Sequence, residues 1–305
     1  MRTNETMSCA KAADRQAEAA TAKREKRRRQ KTFFCCPLTW TLTLLLFVSM
    51  GYLGIRHRIS YLEAQQIAAL RHLLPEDVHT VAVTIEIAPT KTDETATAAQ
   101  AAPSPTPRII LDRYAALYRQ NADLIGWITI EKTPMDYPVM QTPQEKSFYL
   151  HRDFEKRDSD GGLPFADERC CVFSDYVPNV LLYGHNMRSG AMFGSLDEYL
   201  KERYFTEHRI ILFDTLYRQG AYEIFSVFRT RVLDGGEEGF RFYQYAEIPD
   251  EAVFDAYVDT VKSLSLYETD ATPVWGDSLL TLATCNRYVK NGRLIVVAVR
   301  LPETP

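Results

Sequence analysis

Only six cysteines occur in 305 residues, and neither a Cys-x-x-Cys nor a His-x-x-x-His spacing is among them. That excludes the common zinc sites. No internal repeat is visible, so a solenoid or propeller is excluded. A basic domain of the kind that binds nucleic acid is missing as well. The formal charge of −4 divides into +6 over residues 1–55 and −10 over the remainder, so only a short N-terminal arm is basic. Anionic membrane lipid is the partner that such an arm suits. With 46% hydrophobic and 25% charged residues, the chain has room for one core plus extensions.

One long apolar run is present. Seven Lys/Arg between Lys23 and Lys31 lead directly into it, and from Phe33 to Ile55 it counts 23 residues without a charge. A helix needs about 20 such residues to cross a bilayer core. Arg56 and Arg58 alone follow closely, so the charge bias keeps residues 1–32 in the cytoplasm and everything after Ile55 outside. A cleaved signal peptide is the rival reading. The run is long for that, and no small-x-small cleavage site follows it. Expected, then, is a single-pass anchor over residues 33–55.

Ile59, Leu62, Ile67, Leu70 and Leu74 recur at helical spacing and predict an amphipathic juxtamembrane helix over residues 58–74. Residues 88–107 are rich in Thr, Ala and Pro and end Ala-Pro-Ser-Pro-Thr-Pro, a composition that favours an extended spacer. Residues 56–107 therefore read as helix and linker, and residues 108–305 as the working domain. Within that domain, short apolar or alternating runs predict strands at Leu124–Ile130, Val180–Tyr183, Arg209–Phe213, Tyr222–Phe228, Ser278–Thr284 and Leu294–Val299. Helices are predicted at Ile109–Gln120, Phe193–Glu202 and Pro249–Leu266, the last with Asp250 and Glu251 near its start. A mostly β domain follows, a barrel with a few helices.

Three cysteines lie in the outer part: Cys170, Cys171 and Cys285. Adjacent cysteines seldom bridge each other, because a disulfide sets its two Cα atoms farther apart than neighbours easily allow. Cys170-Cys171 is expected to be structural. Of the others, Cys9 falls in the cytoplasmic arm, and Cys35 and Cys36 open the apolar run, where packing or lipid contact suits them. Cys285 ends the strand run Leu279–Thr284, which delivers its thiol to a sheet edge, and Arg293 stands just before the next strand. A hairpin of those strands brings the two together. A guanidinium there favours the thiolate and holds a developing oxyanion. Taken alone, a buried cysteine at a strand end is more often a packing residue. His185, in Tyr183-Gly184-His185-Asn186-Met187, follows another strand, as a general acid and base near neutral pH would. His151 and His208 are expected to be surface or structural, and His57, His72 and His79 belong to the stalk.

Tyr183–Met187, the strand end Thr281–Cys285 and Arg293 resemble the signature of sortases, in their order along the chain. Asn121–Ile130, Asp136–Met140, Phe148–Phe154, Gly190–Leu200 and Pro249–Leu266 are similar to class B members, so the resemblance spans about Ile109 to Leu301. It implies a closed, mostly antiparallel β-barrel with added helices. The catalytic residues it implies are Cys285 as nucleophile, His185 as acid and base, and Arg293 as the fixed cation. The implied reaction is a cysteine transpeptidation. A C-terminal sorting motif of an exported protein is cleaved at Thr and its acyl group passed to a peptidoglycan or pilin amine, with no cofactor. Class B further implies a motif beginning with Asn, Ser or Pro rather than Leu. The terminal Leu301-Pro302-Glu303-Thr304-Pro305 imitates a Leu-Pro-x-Thr sorting signal but lacks the Gly, apolar segment and basic tail of a real one, so it is expected to be the tail of the last strand. Two rival readings remain. A hydrolytic surface cysteine peptidase is one, although the Cys-Gly-Ser-Cys-Trp run of papain-like enzymes is absent. A non-catalytic surface binding module, with Cys285 only packing, is the other.

Overall fold

Alternating and fully apolar runs, each bounded by turns, fix most of the strands. In the computed structural model, residues 18–27, 37–74, 83–84, 109–142, 145–174, 176–286 and 288–302 are described. The chain divides into two units, 1–64 and 65–305.

Residues 18–27 form α1, and α2 spans Pro37–His72. Large apolar side chains of α2 from Trp40 to Ile55 are exposed. Among the described residues, no helix is long and apolar enough to cross a membrane. The expected span over Phe33–Ile55 is thus not supported as far as the description reaches. Residues 33–36 lie outside it, and Thr41, Thr43, Ser49 and then Arg56 and Arg58 dilute the apolar stretch. The expected juxtamembrane helix is continuous with that stretch rather than separate. Cys9, Cys35, Cys36 and the spacer over residues 88–107 lie outside the described residues.

In the second unit, Leu70 near the end of α2 and Leu74 just beyond it join the core, and Arg71 Nε lies 3.1 Å from Asp136 Oδ2. Strand β1 (Val83–Thr84) pairs with β2 (Ile109–Ile110), so Ile109 and Ile110 are not helical as expected, and α3 begins at Asp112 and ends at Gln120. Eight further strands make one sheet. They are β3 (Leu124–Thr129), β4 (Asp136–Met140), β5 (Phe165–Ala166), β6 (Asn179–Gly184), β7 (Ile210–Thr215), β8 (Ala221–Arg231), β9 (Leu279–Cys285) and β10 (Gly292–Arg300). Their order, β10-β8-β7-β3-β4-β5-β6-β9, closes on itself because β9 pairs with β10. The pairings are antiparallel except β4 with β5 and β6 with β9.

The expected helix at Phe193–Glu202 is a 3-10 helix, Phe193–Leu200, followed by α4 (Glu202–Glu207). Helix α5 (Glu251–Leu264) starts where its acidic residues predicted. Asp250 caps it, accepting the Val253 N–H at 2.9 Å. Its apolar face, with Phe254, Tyr257, Val258 and Val261, is buried on the sheet. Ser226 Oγ on β8 donates to Val261 O at 2.6 Å and fixes the helix in place.

Candidate active site

Strands β6 and β9 run parallel in register, with Gly184 beside Thr284. Their ends therefore release His185 and Cys285 at the same edge of the barrel. On the other side of β9, the hairpin to β10 sets Arg293 directly across from Cys285. Partners at one register share a sheet face. The order β6-β9-β10 thus lays out histidine, cysteine and arginine side by side, with the cysteine in the middle.

Cys285 is the exposed end of a strand whose six preceding residues are all buried. The thiol is free. Arg293 is half-buried, and its Nη1 donates to the carbonyls of Asn291 at 3.3 Å and Gly292 at 2.9 Å. The loop it follows therefore aims the guanidinium.

His185 is more enclosed. Its Nε2 is buried and has no hydrogen-bond partner among the described residues. Burial holds its pKa below the ordinary 6.5, and the ring of His151, with centroids 5.2 Å apart, adds to the effect; the Leu150 backbone and Asp160 push the other way. An imidazole left unpaired at Nε2 is available to exchange a proton with a ligand. His151, expected only as a surface or structural residue, is thus a neighbour of the candidate acid–base group.

Close packing fixes the backbone at these strand ends. A Cβ on Gly184 would stand 2.6 Å from the Phe193 ring, so only glycine lets that ring pack against the strand end. Phe193 N donates to His185 O at 3.0 Å. Thr284 Oγ1, buried, donates to Gly184 O at 2.8 Å and ties the two strands one residue before the site. One residue after it, Asn186 Nδ2 donates to Cys285 O at 2.6 Å. Asn186 and Asn286 both also reach the Asp197 carboxylate, at 2.8 Å and 3.1 Å. Sequence reasoning missed these amides; the signal was an asparagine directly after both His185 and Cys285. A cleft of about 640 Å³ opens beside them, with Met187, Asp197, Arg229 and Tyr288 in its walls.

Cys170 takes no part. It is buried, its Sγ accepts the Leu181 N–H at 3.3 Å, and burial pushes its pKa up to about 12. Cys171 is exposed and unpaired. Among the described residues no group of His, Cys, Asp and Glu is arranged to hold a metal ion.

The sequence model of the sortase domain matches residues 128–301, more than half of the chain. Sortase B of Listeria monocytogenes is 30% identical over 190 residues, covering 61% of this chain and 73% of the relative. Sortase B of Staphylococcus aureus is 29% identical over 190 residues, covering 62% and 74%. Among solved structures, B. anthracis sortase B superposes with a TM-score of 0.62 at 28% identity, over 81% of this chain and all of that one. A Staphylococcus aureus sortase B–substrate complex gives 0.56 at 28% identity, over 64% and 87%. The matched region contains the strand that leads into His185, the one that ends in Cys285 and the one that bears Arg293, and the chain belongs to class B of the sortase family, the cysteine transpeptidases of the cell surface.

Proposed function

We propose that Cys285 is the nucleophile of this transpeptidase, His185 its acid and base, and Arg293 the cation that steadies substrate and oxyanion. One observation carries the assignment: the strand order β6-β9-β10, with Cys285 between the other two. The Cys285 thiol gives its proton to His185 as its sulfur attacks the carbonyl carbon of the motif threonine, and the developing oxyanion faces the Arg293 guanidinium. The C–N bond breaks as His185 gives its proton to the leaving amine, and a thioester remains on Cys285. An amine from peptidoglycan or a pilin then attacks that thioester. His185 takes the proton, a new amide forms, and the thiolate is released.

The donor is an exported protein whose sorting motif begins with Asn, Ser or Pro followed by Pro-x-Thr. The likeness of the chain to class B sortases supports this choice. The catalytic domain comprises residues 108–305. Residues 33–55 hold it at the membrane behind a cytoplasmic arm of residues 1–32, with residues 56–107 as spacer. Support for that anchor comes from the seven basic residues before the apolar run and from the exposed apolar side chains of α2.

The test uses full-length protein in detergent with quenched peptides at equal concentration, with and without an added amine. Asn-Pro-x-Thr and Ser- or Pro-Pro-x-Thr peptides are expected to turn over faster than Leu-Pro-x-Thr, by the roughly 1–3 kcal/mol that a pocket resolves per side chain. Mass spectrometry should find the amine joined to threonine. Cys285→Ala should lose about a thousandfold or more while still folding. Turnover in that variant would remove the assignment, and a faster Leu peptide would remove the motif preference.

A further inference from the structure

Beyond the three residues that face the substrate, one carboxylate touches both sides of the site from behind. Asp197 lies on the 3-10 helix Phe193–Leu200, which is fixed to the His185 loop at two points. Phe193 N donates to His185 O, and a Cβ on Gly194 would stand 2.2 Å from Met187 O, so the helix and the loop lie backbone to backbone. From this support Asp197 Oδ2 accepts from Asn186 Nδ2 at 2.8 Å, and Oδ1 accepts from Asn286 Nδ2 at 3.1 Å. Asn186 uses its second amide hydrogen on Cys285 O, at 2.6 Å. Asn286, 9% exposed, is in turn built into the β9–β10 loop. Its N–H donates to Gly292 O at 2.9 Å, and its Oδ1 accepts from Tyr288 N at 3.0 Å.

We propose that Asp197 is a positioning residue for the transpeptidation, bridging Asn186 and Asn286 so that the peptide planes directly after His185 and Cys285 are held at one spacing. The inference rests on the roles proposed for His185 and Cys285. The physical case is one of complementary donors. An ionised carboxylate offers acceptors only, whereas each asparagine presents an NH2 pair, so both oxygens are matched. Hydrogen bonds to a charged acceptor are the stronger kind. Thr284 Oγ1 to Gly184 O fixes the strands one residue before the site, and the Asp197 bridge fixes them one residue after. Without the bridge, the strand ends past the site would be joined there through the Asn186–Cys285 O bond, with no carboxylate to orient the Asn186 amide. A misplacement of about 1 Å between reacting groups can cost about a hundredfold in rate.

The experiment is a donor–acceptor exchange in the full-length enzyme. D197N puts an NH2 against one of the two asparagine NH2 groups, and N286D sets two carboxylates together. Each is expected to lower kcat by about tenfold to a hundredfold, with KM for the sorting peptide changed less than about twofold. In D197N/N286D the pair is rebuilt in reverse, with residue 197 donating and residue 286 accepting. Its kcat should return to within about threefold of wild type, well above the product of the two single effects. A general structural role would lower the melting temperature and kcat together, with no rescue. A D197N enzyme with kcat within about twofold of wild type, or a double variant no better than the product of the singles, overturns the proposal. Where D197N does not fold, N286A leaves the carboxylate one partner and carries the same comparison. C285A run in parallel separates the two levels. Turnover in C285A removes the underlying assignment, whereas a dead C285A beside a fully active D197N removes only the bridge.

Discussion

Arg293 holds its guanidinium against the carbonyls of Asn291 and Gly292 through Nη1, leaving the rest of the fork to meet a substrate. Lysine offers a point charge on a flexible stem and cannot present that planar set of donors. Arg293→Lys is expected to lower kcat/KM at least about tenfold, roughly 1.4 kcal/mol in the transition state, with an unchanged melting temperature. Normal kinetics in this variant would make the guanidinium a loop-stabilising group only. His185 yields a prediction with a definite sign. Its pKa is held down by burial and by His151, and held up by the Leu150 backbone and Asp160. Replacing His151 with Gln removes a positive neighbour, so the imidazolium of His185 becomes easier to form. The limb of the kcat/KM–pH profile that reports His185 should move to higher pH in His151→Gln. In Asp160→Asn it should move to lower pH. Shifts in the same direction, or none, would show that the limb belongs to another group.

At the level of elements, α5 is joined to the barrel by a buried polar chain. Tyr257 OH meets Thr281 Oγ1 at 2.7 Å, Thr281 Oγ1 donates to Asn179 Oδ1 at 2.9 Å, and Asn179 Nδ2 donates to Tyr245 O at 2.7 Å. Tyr257→Phe deletes one link of this chain. It should lower stability by about 1 kcal/mol, seen as a lower denaturation midpoint with an unchanged slope. A loss above about 3 kcal/mol would mean that the whole chain of bonds collapses. The strands that bear the site were legible in sequence because their runs are apolar and bounded: Val180–Tyr183 became Asn179–Gly184, and Ser278–Thr284 became Leu279–Cys285. Strand β4 was visible only by resemblance, since Pro138 inside it argues against a paired strand. Two-residue β5 is too short to carry any period. Nothing local encodes the parallel pairing of β6 with β9, and so the Asn186–Asp197–Asn286 bridge that depends on it was hidden as well. The hairpin that brings Arg293 to Cys285 was legible, because its two strands are adjacent in the chain.

For the whole molecule, the topology proposal has a direct measurement. Protease added to intact protoplasts should degrade the catalytic domain and spare the basic arm of residues 1–32. A protected domain would reverse the orientation. The pairing of β6 with β9 has a further meaning in time. Gly184 and Thr284 are 100 positions apart, yet they are neighbours in the sheet. Joining segments so distant along the chain is a slow event in folding, since the entropy of a long loop is lost before any contact offsets it. Until it happens, the thiol and the imidazole belong to separate pieces of polypeptide and cannot act together. The site is thus assembled by the closing of this seam and exists only once the sheet is complete.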